Sequence, residues 1–318
     1  MTTFKESFPK FKFFSLTALA DGVWAALSIP GTGSWSNAGI IDIGDQTIDA
    51  FATPTAADDL RMAAEKLTGR PVTLVLNSHY HLDHVNGDQV FHNVPIISTR
   101  ITRKQIAAQQ PKFIELFKNS TGLLDQTKAE IEQERNPEKR QELENLLGEY
   151  SMIIKDTERF KLTLPTITFD DKIILNGARM SAELITYGGG HTISDAFLYL
   201  PKEQILFLAD LMHIGYHADV RQGNADHWID ILKKVKKLKI KKVVSGHGAI
   251  GTAKDVDDMI DYLYTIKQIA ADWRQHGGTI ERINEIEMPA NYASYGAPSI
   301  FHYNIKSLIE KEIGLSNL

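Results

Sequence analysis

The chain is expected to fold as a mixed α/β protein with one sheet edge crowded by imidazoles and carboxylates. Four short apolar runs with strand character each lead into a histidine or an aspartate. They are V-T-L-V-L at 72–76 before H-Y-H-L-D-H at 79–84, L-I-T-Y-G-G-G-H at 184–191, I-L-F-L-A-D at 205–210 and K-V-V-S-G-H at 242–247. Other stretches carry apolar residues at helical spacing, as Ala57, Leu60, Ala64 and Leu67 do within 55–68.

From the N-terminus, two strand-like runs at 12–19 and 23–29 flank Asp21–Gly22, which predicts a hairpin. The same segment has a weak secretory-signal character, because Lys10 and Lys12 precede F-F-S-L-T-A-L-A; the hairpin is the preferred reading. The loop P-G-T-G-S-W-S-N at 30–37 carries Trp35, either a substrate contact or a residue closing the sheet edge. An alternating strand follows at 38–44, then the helix at 55–68 and the strand at 72–77.

Residues 100–156 are rich in Lys, Glu, Gln, Leu and Ile and predict two or three helices, with breaks near Ser120–Gly122 and at Asn136–Pro137. Asn before Pro suits a cap followed by a first-turn proline. The charge run at 132–142 is expected to be a solvated helical face. Ile114, Leu116, Phe117, Leu123 and Leu124 could supply the buried or substrate-facing side of this insertion. It would act as a lid or wall, as a homodimer contact, or as structural padding. Helices are expected near 226–238, over 254–272 and over 301–314. The basic run at 233–242 would complement a helix end rather than bind nucleic acid. The whole of 1–318 is read as one domain, with the helical insertion at 100–156 and a helical C-terminal segment at 254–318.

Imidazole and carboxylate are the ligands of zinc and its first-row neighbours. Any one of these residues, taken alone, reads as an ordinary polar turn; seven together read as a metal centre. His79, His81 and His191 would form a three-histidine site with an open position. Asp83, His84 and His247 would form its neighbour, with Asp210 between the two. A pair of ions about 3.5–4 Å apart would share a water, lower its pKa and polarise a carbonyl or phosphoryl oxygen. His213, Tyr216 and His217 fall beside Asp210 and could donate a proton to a leaving group, support the ligands from behind or be ordinary loop residues; His213 is the candidate carried forward as proton donor.

H-Y-H-L-D-H followed by V-N-G, then G-H-T, L-A-D and S-G-H-G, in that order, resembles the metallo-β-lactamase superfamily over roughly residues 12–255. The resemblance implies a four-layer αββα sandwich of two mixed sheets, with the metals in a groove at one edge. It assigns His79, His81 and His191 to one metal, Asp83, His84 and His247 to the other, and Asp210 to the bridge. Asp83 would also orient a bridging hydroxide.

Departures narrow the branch. There is no cysteine, so antibiotic-hydrolysing members with a cysteine ligand match poorly. Position 81 is histidine where flavin-linked di-iron members carry glutamate. The aspartate bridge resembles thioesterases, lactone hydrolases, phosphotriesterases and tRNA-processing nucleases. Lactonases often place a tyrosine where His213 stands, which weakens that reading.

At 318 residues the chain can bury a large core, and 43% hydrophobic with 24% charged residues suits a globular protein. A formal charge of −5 supplies no general attraction for nucleic acid. Zero cysteines exclude disulfides and thiol catalysis and fit a cytoplasmic setting. No apolar stretch approaches the ~20 residues that span a membrane. The leading expectation is a dinuclear hydrolase of a small ester, lactone, thioester or amide, with two zinc ions, or iron or manganese in their place. The alternatives are an oxygenase holding one iron through His79, His191 and Asp210, and a sensor that binds metal without turnover.

Overall fold

A computed structural model of the protein describes residues 10–43, 46–120 and 122–314. Phe14–Ala20 (β1) and Val23–Ser28 (β2) form the expected antiparallel hairpin, Phe14 opposite Ser28. Gly22 takes the left-handed turn position at φ 74°. Ala38–Ile41 (β3) pairs with β2, and all four of its residues are buried. The alternation expected over 38–44 therefore does not hold: this strand is covered on both faces.

Gln46–Ile48 (β4) continues the sheet and leads to Pro54–Thr68 (α1). The Thr53 hydroxyl accepts from the Ala56 amide and Gly69 closes the helix at φ 73°, which sets both ends of α1 by local chemistry. Leu74–Leu76 (β5), the single turn Leu82–Val85 (α2) and Ile96–Thr99 (β6) follow. Three helices make up the insertion: Arg100–Lys118 (α3), Leu123–Gln133 (α4) and Pro137–Asp156 (α5). Both breaks fall where the sequence places them. Asn136 accepts from the Lys139 amide with Pro137 in the first turn, a cap worth about 1 kcal/mol. The charge run at 132–142 lies across the α4–α5 elbow, not along one helical face.

Ile167–Phe169 (β7) completes a seven-stranded sheet in the order β1-β2-β3-β4-β5-β6-β7. The second half comprises Lys172–Asn176 (β8), Ser181–Gly188 (β9), Asp195–Leu200 (β10), Ile205–Ile214 (β11), Ala225–Val235 (α6), Lys242–Gly248 (β12) and Ile250–Gly251 (β13). Its six strands run β13-β12-β11-β10-β9-β8. Ala253–Gln275 (α7) and Ser299–Glu312 (α8) end the described chain.

Apolar side chains sort these elements into four layers. Val23, Ala25, Ile41, Leu76 and Ile97 of the first sheet meet Leu184, Leu198, Phe207 and Val244 of the second in a shared core. The outer face of the first sheet packs on α1 through Ile40, Val75, Leu60 and Ala64. The outer face of the second packs on α6, α7 and α8 through Phe197, Trp228, Leu263 and Phe301. The arrangement is the αββα sandwich, with the insertion joined between β6 and β7.

Helix α5 docks the insertion through three acidic residues spaced seven apart, a spacing that returns to one side of a helix. Glu142 accepts from the Ser299 hydroxyl, Glu149 from the Gly31 and Gly33 amides, and Asp156 from the Thr55 amide and hydroxyl. Phe117, Ile153 and Phe160 form a small separate core beneath it. Of the apolar residues singled out in the insertion, Phe117 is buried whereas Leu116 is 61% exposed.

Candidate metal centre

The H-Y-H-L-D-H segment leaves the sheet just after β5 and turns into α2. His79 precedes the turn, His81 sits at its N-terminal boundary, and Asp83 and His84 lie within it. Packing a strand end against a one-turn helix aims these side chains at one point. His191 arrives from the loop between β9 and β10, where Gly188 takes φ 100°. Of the three glycines before His191, Gly189 and Gly190 serve close packing. A Cβ on Gly190 would lie 2.9 Å from the Trp228 backbone.

Asp210 and His247 do not follow their strands; they lie inside them. β11 continues to Ile214 and β12 to Gly248. What turns Asp210 toward the cluster is a register irregularity around Ala209, which holds φ 45°. The strands carry their ligands at a bulge, a feature that apolar patterning does not reveal.

The described residues bring all seven expected ligands together. His79, His81, His191 and Asp210 form one group with ligand atoms within 4.8 Å of one another, and Asp83, His84 and His247 form a second. Asp210 joins them: its Oδ2 lies 3.2 Å from His191 Nε2 and 3.4 Å from His247 Nε2, and its Oδ1 lies 3.1 Å from His84 Nε2. A third group, Asp210, His213 and His247, overlaps both. The His213 ring stacks on His247 at 5.2 Å, with Nε2 3.9 Å from Asp210 Oδ2.

Outer contacts decide which ring nitrogens face inward. His84 Nδ1 lies 2.8 Å from Asp49 Oδ2, and since a carboxylate only accepts, the imidazole donates. The Ser78 hydroxyl donates to the same Asp49 oxygen and therefore accepts from His79 Nδ1, at 3.0 Å. His191 Nδ1 donates to the Asp219 carbonyl, and His81 Nε2 donates to Gln222 Oε1, which also accepts from the Tyr80 hydroxyl. With those protons committed outward, His79, His84 and His191 turn Nε2 lone pairs inward and His81 turns its Nδ1.

The consequence is a set of acceptors without donors. His191 Nε2 and His81 Nδ1 stand 3.0 Å apart, a distance that two lone pairs tolerate only around a proton or a cation. The buried atoms His79 Nε2, His84 Nε2 and Asp210 Oδ1 have no hydrogen-bond partner. Such orphaned, convergent lone pairs fit divalent cations.

The electrostatics of the cluster agree. Burial works against both carboxylates, yet neighbouring imidazoles hold Asp83 down at about 2 and Asp210 well below the usual carboxylate range. Burial likewise opposes charge on His84 and His247. The carboxylates overcome it, raising His84 well above its ordinary value and His247 to about 10. Burial, with the adjoining His84, depresses His79, and burial depresses His213 to about 3. Both carboxylates are thus held ionised, and the cluster favours positive charge beside them.

Other expectations divide. Trp35 is half-buried and packs edge-on to Tyr150 of α5 at 6.0 Å, rather than standing free in its loop. His217 does not join the Asp210 cluster: it hydrogen-bonds to the Tyr262 hydroxyl within the helical layer and packs near Phe301. Tyr216 bridges by backbone to Gly296. Asp49, Gln222 and the Asp219 carbonyl, absent from the sequence reading, set the tautomers. Asp49 follows directly on β4 and repeats the strand-then-aspartate signal; the other two have no sequence signature.

A buried histidine–aspartate cluster at the edge of an αββα sandwich defines the hydrolase-type scaffold of a large metal-binding class. The metallo-β-lactamase superfamily model matches residues 36–247, two thirds of the chain and all seven candidate ligands; the chain belongs to this superfamily. A solved metallo-β-lactamase from Pontibacter korlensis is 17% identical with a TM-score of 0.58, the alignment covering 79% of this chain and 99% of that one. At that identity the likeness is one of fold. Among the described residues no helix is long and apolar enough to cross a membrane.

Proposed function

We propose that the protein is a dinuclear, zinc-dependent hydrolase of a small ester, lactone, thioester or amide. The observation that carries the reading is the convergence of seven histidine and aspartate side chains into two adjoining groups that share Asp210. His79, His81 and His191 would hold one cation, Asp83, His84 and His247 the other, and Asp210 would contact both. A bound pair supplies a water acidified toward neutrality and an electrophile for the substrate carbonyl.

The chain's own groups do the rest. Asp83, ionised and beside His247 Nε2 at 3.2 Å, is placed to accept a hydrogen bond from the attacking water and orient it. His213 is neutral at physiological pH, so it would act as a fixed N–H donor to the leaving group rather than as a reservoir of acid. Trp35 would contact the substrate from the insertion side. The complete second group argues against a single-iron oxygenase, which needs only His79, His191 and Asp210.

Metal analysis of protein purified without added metal, joined to a screen of ester, lactone, thioester and phosphodiester substrates, tests the reading. Two zinc ions per chain and turnover abolished in His79→Ala are expected. One iron per chain, or no turnover of any substrate, would overturn it.

A further inference from the structure

We propose that Glu149 is a positioning residue, tying insertion helix α5 to the 31–37 loop so that Trp35 is held beside the Asp83 half of the cluster. The inference rests on the hydrolase reading only for its kinetic arm.

Glu149 is 2% exposed, and both its oxygens are spent on one loop: Oε1 accepts from the Gly31 amide at 2.7 Å and Oε2 from the Gly33 amide at 2.9 Å. Its neighbour Gly148 permits the approach, since a Cβ there would lie 2.2 Å from the Gly31 carbonyl oxygen. Gly33 turns the chain at φ 107°, and Trp35 follows at φ 62°, a conformation that a bulky side chain adopts only when its surroundings enforce it. Tyr150, adjacent to Glu149, receives the Trp35 ring edge-on.

The loop then runs straight into the metal-binding segments. The Ser36 hydroxyl donates to the Asp83 carbonyl at 2.6 Å. The Asn37 amide donates to the Gly246 carbonyl at 2.7 Å, and its side-chain nitrogen donates to the Gly248 carbonyl at 3.0 Å, one on each side of His247. Seven residues therefore connect α5 to the two segments that carry Asp83 and His247. Glu142 and Asp156, one heptad away on either side, dock the same helix to the body of the protein; Glu149 alone of the three reaches this loop. Burying a carboxylate so deeply is unfavourable and pushes it up to about 7 although both its oxygens accept from backbone amides.

The test compares Glu149→Gln, which keeps one acceptor oxygen, with Glu149→Ala, which keeps none. Hydrogen exchange over residues 29–37 should quicken in the order wild type, Gln, Ala, with metal content equal to wild type in all three. With 4-nitrophenyl acetate as the probe, Glu149→Ala should raise KM about tenfold and lower kcat by less. Adding Trp35→Ala to it should cost no more than Trp35→Ala alone, because both changes remove the same wall. Unchanged exchange in both variants, or effects of Glu149→Ala and Trp35→Ala that add, would overturn the proposal. If the wild type turned over no substrate, the hydrolase reading would fail while the exchange measurement still decided the role of Glu149.

Discussion

Asp210 Oδ1 occupies the space in which a side chain at position 246 would begin: a Cβ on Gly246 would stand 1.9 Å from it. The same Cβ would lie 2.7 Å from the Ala209 carbonyl carbon. The glycine before His247 is therefore a requirement of the neighbouring strand.

Gly246→Ala should consequently act on Asp210. The added methyl cannot be relieved by a flexible neighbour, because Ala209 and Asp210 lie in β11, the strand paired with β12. The expected result is a loss of about 1–3 kcal/mol in stability from overpacking, together with fewer bound metal ions per chain. Denaturant unfolding and elemental analysis measure the two effects. A variant with full metal content would show that the strands separate without cost.

Asp49 accepts from the Ser78 amide, the Ser78 hydroxyl and His84 Nδ1. Asp49→Ala frees both imidazoles that it orients, His84 directly and His79 through Ser78. Metal affinity should fall on the order of 10–100-fold, read by competition with a chromophoric chelator. Unaltered affinity would mean that packing alone sets the ring orientations.

Removing bound metal should lower the unfolding temperature, and restoring zinc should recover it. A ligand at a hundredfold excess over its Kd stabilises the native state by about 2.7 kcal/mol. His79→Ala should shrink that gain, since His79 Nε2 is one of the orphaned acceptors. Identical melting curves with and without metal would contradict the centre.

His217 lies outside the cluster and offers a pH signature of its own. Burial pushes it down from an ordinary 6.5 to about 4, a neighbouring His302 adding to the effect, while Tyr262, Tyr295 and Phe301 pack around it. The unfolded chain takes up this proton near 6.5 and the folded chain only near 4. Its contribution is therefore complete above 6.5 and is lost as the pH falls toward 4. Over that window wild type should lose up to ~3 kcal/mol relative to His217→Gln, all other titrating groups being common to both. Parallel stability curves would show that His217 takes up its proton without penalty.

Much of the site is legible without a structure. Three histidines and an aspartate within 79–84 sit too close together for independent surface roles, and the glycines around His191 and His247 announce tight approach. The helices of the insertion are equally readable, because Asn136–Pro137 and the break near Gly122 act through neighbouring residues alone. The readings that failed depend on what lies across the fold. β3 loses its alternation because α1 and the second sheet cover it from both sides. Asp210 lies within a strand because β12 continues alongside it. His217 leaves the site because α7 offers it a phenol.

Which residues could bind metal was determined by the chain alone, since ligand chemistry belongs to side chains and their crowding is a matter of sequence. Which nitrogen of each histidine faces the centre of the cluster, and which loop is held against it, were decided only by tertiary structure. Asp49, Gln222 and the Asp219 carbonyl direct those rings, and Glu149 holds the loop of Trp35 from more than a hundred residues away. A hydrogen bond needs its partners within about 3 Å, and no pattern along the chain encodes such a distance between segments that meet only on folding.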